Sequence, residues 1–121
     1  MIVWGPSPQT LIDPIVLDEL RAAVCEQLKR FWQSQLDEPE WLRPRNYQAF
    51  AVLTLCRALY TLHHGKVSSK PKAAAWTQEA YPRWKPMIER ALLWCSQHEN
   101  DDMTETMMFL REALMQAQEM C

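Results

Sequence analysis

The sequence predicts an all-α fold, a bundle of about five helices. Glycine, which disfavours helices, occurs only twice in the 121 residues. The β-branched residues are sparse beside Ala, Leu, Met, Glu, Gln, Lys and Arg, which favour helices. Apolar residues also recur at spacings of three and four along most of the chain. We therefore expect a single helical domain at residues 14–121, preceded by an N-terminal stub and linker at residues 1–13.

The first helix is predicted at about residues 14 to 35. Asp13 is a good N-cap, and Pro14 suits the first helical turn. Beyond them an apolar residue recurs at every fourth position: Val16, Leu20, Val24, Leu28 and Trp32. The apolar stub "MIVW" is too short to form a sheet by itself, and it precedes the stiff turn "GPSP".

Two further helices follow a proline-containing loop at residues 36–46. The run 46–64 is apolar almost all round, as in a central bundle helix, and Gly65 is a natural C-terminal cap for it. The third helix is expected to begin near Ser69, with Pro71 in its first turn, and to end at about residue 80.

The last two helices are separated by the polar run "HENDD". The fourth helix is expected to carry Trp84 and to end near Gln97. The fifth is expected to begin at Asp101 or Asp102, because its apolar stripe then recurs at steps of four, three, four and three residues.

Charge and cysteine usage exclude several classes of protein. The net charge is −2, which argues against bulk electrostatic binding of nucleic acid. The four cysteines, Cys25, Cys56, Cys95 and Cys121, form no CxxC pair, so we expect reduced thiols and neither a zinc site nor a disulfide. The sequence shows no signal peptide and no apolar run long enough to span a bilayer. We therefore expect a cytoplasmic protein that binds neither membranes nor nucleic acid.

Three lysines surround the predicted start of the third helix, where the helix dipole disfavours cations. In "GKVSSKPKAAAW", residues 65–76, they are Lys66, Lys70 and Lys72. A cation in the first turn typically costs about 0.3–1 kcal/mol when exposed. The free N–H groups at the same helix end attract anions such as phosphate. The segment is therefore either a tolerated run of surface lysines or a phosphate site that includes the serine pair, and it lacks the glycines of a Walker loop.

Arg57, His63 and His64 form a second candidate group. Arg57 and His64 are seven residues apart on one predicted helix and share a face. An arginine beside an imidazole can support RNA cleavage by acid–base chemistry, and the spacing resembles the short Arg/His motif of the helical HEPN ribonucleases. The alternative is an arginine paired with a carboxylate and two solvent-facing histidines at a helix C-terminus. Two histidines without a third ligand do not predict a metal site.

Tryptophans and carboxylates supply the remaining candidates. Trp32 and Trp84 fall in apolar stripes and are predicted to lie in the core. Trp41, Trp76 and Trp94 are candidates for stacking on a ring or sugar. Metal-dependent phosphoryl transfer needs convergent acids, and the sequence has no D-x-D motif on an apparent strand. We therefore predict no catalytic residue and no metal ligand in this chain.

The segment "VLTLCRALYTL…GKVSSKPKAAAW", within residues 52–76, resembles the C-terminal helical domain of aminoglycoside adenylyltransferases of the streptomycin/spectinomycin type. "GPSPQTLIDP" at 5–14 resembles the beginning of that domain, and "RWKPMIERAL" at 83–92 resembles its next helix. The resemblance covers nearly the whole chain and contains no catalytic signature.

The resemblance implies that the chain is half of a two-domain enzyme. In that family an N-terminal nucleotidyltransferase domain carries a Gly-Ser motif and the metal-binding acids, and ATP and the aminoglycoside bind between the domains. The lysine of a Ser-Lys motif contacts the triphosphate, which implies nucleotide-binding roles for Lys70 and Ser69. ATP and Mg²⁺ are thus expected cofactors of a complete enzyme and not of this chain alone.

The resemblance also implies substrate contacts in the loop before the central helix. The family places a tryptophan and acids there, and this loop has residues of the same types at a different spacing, with two arginines closer to the helix. Near the end of the fourth helix, where the family can place a tyrosine, this chain has a tryptophan. The candidate substrate-facing residues are Trp41, Trp94, Glu38 and Glu40.

No segment of the sequence resembles the nucleotidyltransferase domain. We therefore expect a domain that clamps nucleotide and substrate and is inactive alone, whether as a fragment, a stand-alone reading frame or the partner of a separate catalytic subunit. Two alternatives stay open. One is a HEPN-like ribonuclease that uses Arg57 with His63 or His64, and the other is a non-catalytic interaction module, a homodimer that buries apolar surface.

Overall fold

The computed structural model describes the backbone of residues 14–121 and the side chains from residue 18 onward. The helices are, in chain order, α1 (Pro14–Gln27), α2 (Arg45–His64), α3 (Lys70–Ala80), α4 (Lys85–Trp94) and α5 (Thr104–Met120). Short 3-10 helices, Glu40–Leu42 and Pro82–Trp84, precede α2 and α4. The described residues form no β-strand, and the predicted all-α fold is confirmed. The predicted stub and linker at 1–13 lie outside the described residues.

The first helix continues beyond α1 without interruption. It passes through a π-helical turn, Leu28–Trp32, and ends with an α-helical turn, Gln33–Gln35, so the helix predicted to end at residue 35 is confirmed at that end. Leu28 and Trp32 bound the π turn and are both in the core, at 5% and 2% exposure. Their spacing of four residues also fits an ordinary α-helix, which is why the pattern could not reveal the π turn.

The central helix is α2, which packs against all four other helices. Its buried apolar side chains are Ala49, Ala51, Val52, Leu53, Leu55, Cys56, Leu59, Tyr60 and Leu62. They point in most directions around the helix, as the sequence predicted. The helix ends at Gly65, which has a left-handed φ of 72° and donates its N–H to the carbonyl of Thr61 at 2.7 Å. Neither α2 nor any other helix within residues 14–121 has the length and apolar character needed to cross a membrane.

The start of α3 matches the prediction. Ser69 is the N-cap, and its Oγ accepts a hydrogen bond from the N–H of Lys72 at 3.3 Å. Pro71 lies in the first turn, where a missing N–H costs little. Further along, Thr77 is fully buried, and its hydroxyl is satisfied there by donating to the carbonyl of Ala73 at 2.7 Å.

A short backbone pairing joins the loop before α2 to the segment between α4 and α5. The N–H of Arg45 donates to the carbonyl of Glu99 at 2.8 Å, and the N–H of Asp101 donates to the carbonyl of Arg43 at 3.0 Å. The two bonds form an isolated antiparallel bridge and keep this segment out of a helical conformation.

The bridge explains why two helix ends differ from the prediction. The fourth helix ends at Trp94 rather than near Gln97, and the fifth begins at Thr104 rather than at Asp101 or Asp102. Met103 is the N-cap of the fifth helix and makes no side-chain cap hydrogen bond, whereas the Oδ1 of Asp102 just before it accepts hydrogen bonds from the N–H of Thr104 at 3.3 Å and from its hydroxyl at 2.9 Å. The side chain of Asp101 instead forms an ion pair with Arg45.

The expectation that all four cysteines are reduced is wrong. Cys25, in α1, and Cys121, directly after α5, form a disulfide. They are separated by 96 residues in sequence, so their proximity depends on how the helices pack and not on a local motif. Cys56 and Cys95 are free, as expected. Burial raises the pKa of the Cys56 thiol to about 12, so this thiol is unreactive at neutral pH.

The tryptophans divide as the sequence predicted. Trp32 and Trp84 are in the core, at 2% and 7% exposure. Trp41, Trp76 and Trp94 are partly buried and pack against the edge of the core. Of the tryptophans that the structure describes, the three at the edge are therefore the more accessible to a ligand.

Candidate functional site

Lys70 is the first residue of α3 and is half-buried. Its Nζ lies 5.2 Å from the centroid of the Phe50 ring, a cation–π contact that places the ammonium group between α3 and α2. Lys66 and Lys72 are both exposed, and Lys72 Nζ lies 5.9 Å from the centroid of the Tyr60 ring. Lys70 therefore differs from the other two lysines of the segment, because it is half-buried and they are exposed.

A cavity of about 360 Å³ lies between α1, α2 and the start of α3. Arg57 and Lys70 are the charged residues among its lining, and we call it the cationic cavity. Its uncharged lining includes Leu20, Val24 and Gln27 from α1 and Thr54 and Thr61 from α2. Among the side chains that the structure describes, the cavity thus combines two positive charges with several polar groups and no carboxylate.

Arg57 is fixed by the loop that precedes α3. Its Nε donates to the carbonyl of Ser68 at 3.0 Å. None of the salt bridges within the described part of the chain includes Arg57 or Lys70. Two cations that line one cavity without a carboxylate partner are suited to an anionic ligand.

Three backbone positions at the start of α3 have no free N–H for such a site. Pro71 has no N–H, the N–H of Lys72 donates to the Oγ of Ser69, and the N–H of Ala73 donates to the carbonyl of Ser69 at 2.9 Å. These amides, which could have bound a phosphate, are therefore already paired. The side-chain charge of Lys70 and the helix dipole remain available to an anion at this end of α3.

The two histidines belong to a different cluster from the cationic cavity. The His64 ring stacks on Tyr60 with ring centroids 4.1 Å apart, and His63 Nε2 lies 3.2 Å from the hydroxyl of Tyr81. Burial and the neighbouring His64 lower the pKa of His63. No hydrogen bond described in the structure joins Arg57 to either imidazole.

A second cavity, of about 370 Å³, shares Phe50 and Lys70 with the cationic cavity. Trp41 and Tyr47 extend its wall, with ring centroids 5.9 Å apart, and we call it the aromatic cavity. Asn46 also lines it. Of the candidate substrate-facing residues, Trp41 is the one that this cavity includes.

The acidic candidates lie elsewhere. Glu40 forms an ion pair with Arg43 at 2.8 Å, and their hydrogen bond raises the pKa of Arg43. Glu38 is exposed. Neither carboxylate is among the residues that line the two cavities.

Trp94 is held between two arginines. The guanidinium carbons of Arg45 and Arg90 lie 5.1 and 5.0 Å from its ring centroid. Arg45 also pairs with Asp101 at 2.8 Å, and the hydrogen bond from Arg45 lowers the pKa of that carboxyl. Because Arg45 pairs with Asp101 and Arg43 pairs with an acid of its own loop, the two arginines before the central helix are engaged within the domain.

At this site, sequence reasoning missed the grouping of Arg57 with Lys70. Arg57 shares a face of α2 with Phe50 and Thr54, at steps of four and three residues. The left-handed turn at Gly65 then reverses the chain, so residues shortly after it return to α2. The face of α2 and the position of the turn together were the signal that could have placed Lys70 near Arg57.

The fold and the site define an all-α domain with a cationic cavity beside an aromatic one. Residues 10–119 match the family described as aminoglycoside adenylyltransferase, C-terminal domain. The chain belongs to this family, so the resemblance seen in the sequence is confirmed.

Individual relatives agree with the family match. The aminoglycoside (3'')(9) adenylyltransferases of Klebsiella pneumoniae and Escherichia coli are each 34% identical over 88 residues, which are 72% of this chain and 31% of the relative. That of Rhizobium radiobacter is 33% identical over 88 residues, 72% of this chain and 30% of the relative. The chain thus spans under a third of the length of the curated relatives it matches. No solved structure matches the chain.

Proposed function

We propose that this domain clamps a nucleoside triphosphate and a substrate as the helical part of a complete, cytoplasmic nucleotidyltransferase. The observation that carries the proposal is the cationic cavity, where Arg57 and Lys70 line one space and no carboxylate is found among its described lining residues. Family membership supports the proposal, because the relatives are named adenylyltransferases.

The charges of the cavity suit a triphosphate. Lys70 presents a compact positive charge, and Arg57 presents a planar guanidinium that can bind two oxygens of one phosphate. Both side chains are half-buried, so their attraction for an anion is less screened than on an open surface. In the proposal Lys70 neutralises triphosphate charge during transfer of AMP to a hydroxyl, and Ser69 caps α3 and so positions Lys70.

The residues of this domain do not fit Mg²⁺. Magnesium in nucleotide-binding enzymes is held by carboxylate oxygens and by the phosphates. Within the described part of the chain, no group of three or more His, Cys, Asp or Glu could hold a metal ion. In the proposal the metal ligands and the group that activates the acceptor hydroxyl therefore belong to another domain.

The aromatic cavity is the proposed position of the substrate. Trp41 offers a ring face on which a sugar or a ring can stack. Lys70 borders both cavities, so a substrate there lies next to the proposed triphosphate. Glu38, Glu40 and Trp94 lie outside this cavity, and their contact with a substrate stays a prediction.

Titration of the chain with ATP tests the proposal. Lys70→Met keeps most of the side-chain volume and removes the charge, and we expect ATP affinity to fall by about tenfold, the effect of one charge-assisted hydrogen bond. Lys72→Met is the matched control, because Lys72 is in the same helical turn but does not line the cavity. We expect it to change the affinity by less than about twofold.

Isothermal titration calorimetry measures all three affinities under one set of salt conditions. Equal losses in the two variants would show that general surface charge attracts ATP, and this result would contradict the proposal. Absence of ATP binding by the unmodified chain would contradict it as well.

A further inference from the structure

Residues 18–27 of α1 are weakly held by side-chain packing. None of the side chains at residues 18–27 is fully buried, and the first that is fully buried is Leu28. One side-chain hydrogen bond to α2 is present, from Arg21 Nε to the carbonyl of Leu62 at 3.3 Å. A segment with so few buried groups opens at low cost in free energy unless another interaction fixes it.

The disulfide between Cys25 and Cys121 supplies that interaction, because it bonds this segment to the end of α5. Cys25 is half-buried and Cys121 is exposed. A groove of about 440 Å³, bordered by both cysteines and by Lys29, lies beside the disulfide. A reductant in solution can therefore reach the Cys121 sulfur while the bundle stays folded.

The same segment of α1 forms part of the wall of the cationic cavity, through Leu20, Val24 and Gln27. We propose that Cys25 and Cys121 form a reversible redox clasp. When oxidised it holds α1 in place as a wall of the cavity, and when reduced it releases α1 and opens the cavity. The consequence for ATP binding rests on the proposed function, whereas the release of α1 does not.

The opening step is a two-electron reduction by a dithiol. A thiolate of the dithiol attacks Sγ of Cys121, the S–S bond breaks, and Cys25 leaves as a thiolate that takes up a proton. The second thiol of the reductant then attacks the mixed disulfide and releases Cys121. The chain gains two electrons and two protons as two S–H groups, and the dithiol is oxidised to a cyclic disulfide.

Hydrogen exchange of the purified chain tests the clasp. The chain is oxidised with glutathione disulfide, and one half of the sample is then reduced with dithiothreitol. We expect amides of residues 20–27 to exchange roughly tenfold faster or more after reduction, because the cross-link no longer restrains their opening. We expect a smaller change in the amides of α2, which has the largest set of buried side chains.

Thiol titration in denaturant confirms the chemical state of each sample. We expect two free cysteines per chain in the oxidised sample and four in the reduced sample. Four free thiols after oxidation would overturn the clasp. So would equal exchange at residues 20–27 in two samples whose thiol counts differ.

Two variants separate the clasp from a general effect of the reductant. Cys121→Ser is expected to exchange like the reduced chain and to be insensitive to dithiothreitol. Cys95→Ser, which removes a free and exposed thiol, is expected to respond like the unmodified chain. A response that persists in Cys121→Ser would overturn the assignment to this pair.

ATP titration of the two redox states distinguishes the clasp from the proposed function. We expect the reduced chain to bind ATP about tenfold more weakly, because the cavity is no longer preorganised. Equal and measurable affinities would overturn the link between the clasp and the cavity. If neither state binds ATP, the proposed function fails, and hydrogen exchange alone decides whether α1 is released.

Discussion

At the residue scale, the protonation of His63 makes the stability of the fold depend on pH. Its pKa is lowered by burial and by the neighbouring His64, so the folded chain favours the neutral imidazole. The unfolded chain binds a proton at the ordinary pKa of 6.5. The contribution of His63 to stability is therefore fully present above pH 6.5 and is lost as the pH falls through the lower folded pKa.

We predict that the free energy of unfolding falls more steeply between about pH 7 and pH 5 in the unmodified chain than in His63→Gln. Glutamine is polar, as the contact with Tyr81 requires, but does not titrate. Urea denaturation at stepped pH values measures the difference. The control is His98→Gln, which alters an exposed residue of the turn after α4 and is expected to follow the unmodified chain. Parallel curves for the unmodified chain and His63→Gln would contradict the prediction.

Some residues with a special role could be recognised from the sequence, and others could not. Lys70 could be recognised because a cation at a helix N-terminus is locally unfavourable. Gln48 could not, although it is 1% exposed and its Nε2 donates to the carbonyls of Arg43 at 3.0 Å and Asp101 at 3.1 Å. In the sequence it is one polar residue in an apolar helix, and two of its three partners, Asp101 and Thr106, are remote along the chain.

At the scale of elements, the turn from α2 to α3 depends on Gly65. Its φ of 72° lies in the left-handed region, where a Cβ atom costs about 1–2 kcal/mol. We predict that Gly65→Ala lowers the free energy of unfolding by about 1 kcal/mol. Gly65→Asn is the matched control and should cost less, because asparagine tolerates this conformation better. Urea denaturation measures both variants, and an alanine variant as stable as the unmodified chain would be inconsistent with the prediction.

Helix ends could be predicted where their causes are local. Gly65, Ser69 and Pro71 fix the end of α2 and the start of α3, and all three are readable from neighbouring residues. The end of α4 and the start of α5 depend instead on the bridge between Pro44 and Asn100. These two residues belong to segments that meet only after the bundle has formed, so local patterns placed both helix ends incorrectly.

At the scale of the whole molecule, we predict that the chain alone transfers no AMP. Adenylyl transfer needs a metal held by convergent acids, and the described residues offer no such group. Purified chain is incubated with labelled ATP, Mg²⁺ and an aminoglycoside that the control enzyme adenylylates, and labelled product is separated and counted. The expected result equals a blank without protein. The full-length Escherichia coli relative serves as the positive control, and transfer that co-purifies with the chain would refute the prediction.

The sequence predicted the fold class and the family, since both depend on patterns spread along the entire chain. It did not predict contacts that only the packed bundle creates. The pairing of Cys25 with Cys121 and the shared cavity of Arg57 and Lys70 are such contacts. In each case the residue types were conspicuous, and their partners depended on the relative positions of whole helices.

The disulfide between Cys25 and Cys121 also determines how the molecule transmits mechanical force. A load applied between Cys121 and a residue that precedes Cys25 passes through the covalent bond and does not stretch helices α2 to α5. Stretching a single oxidised chain would therefore not unfold or extend these helices, whereas the reduced chain would unfold under the same load. The bond also closes most of the polypeptide into a ring, so one proteolytic cut inside that ring would leave the two pieces covalently joined.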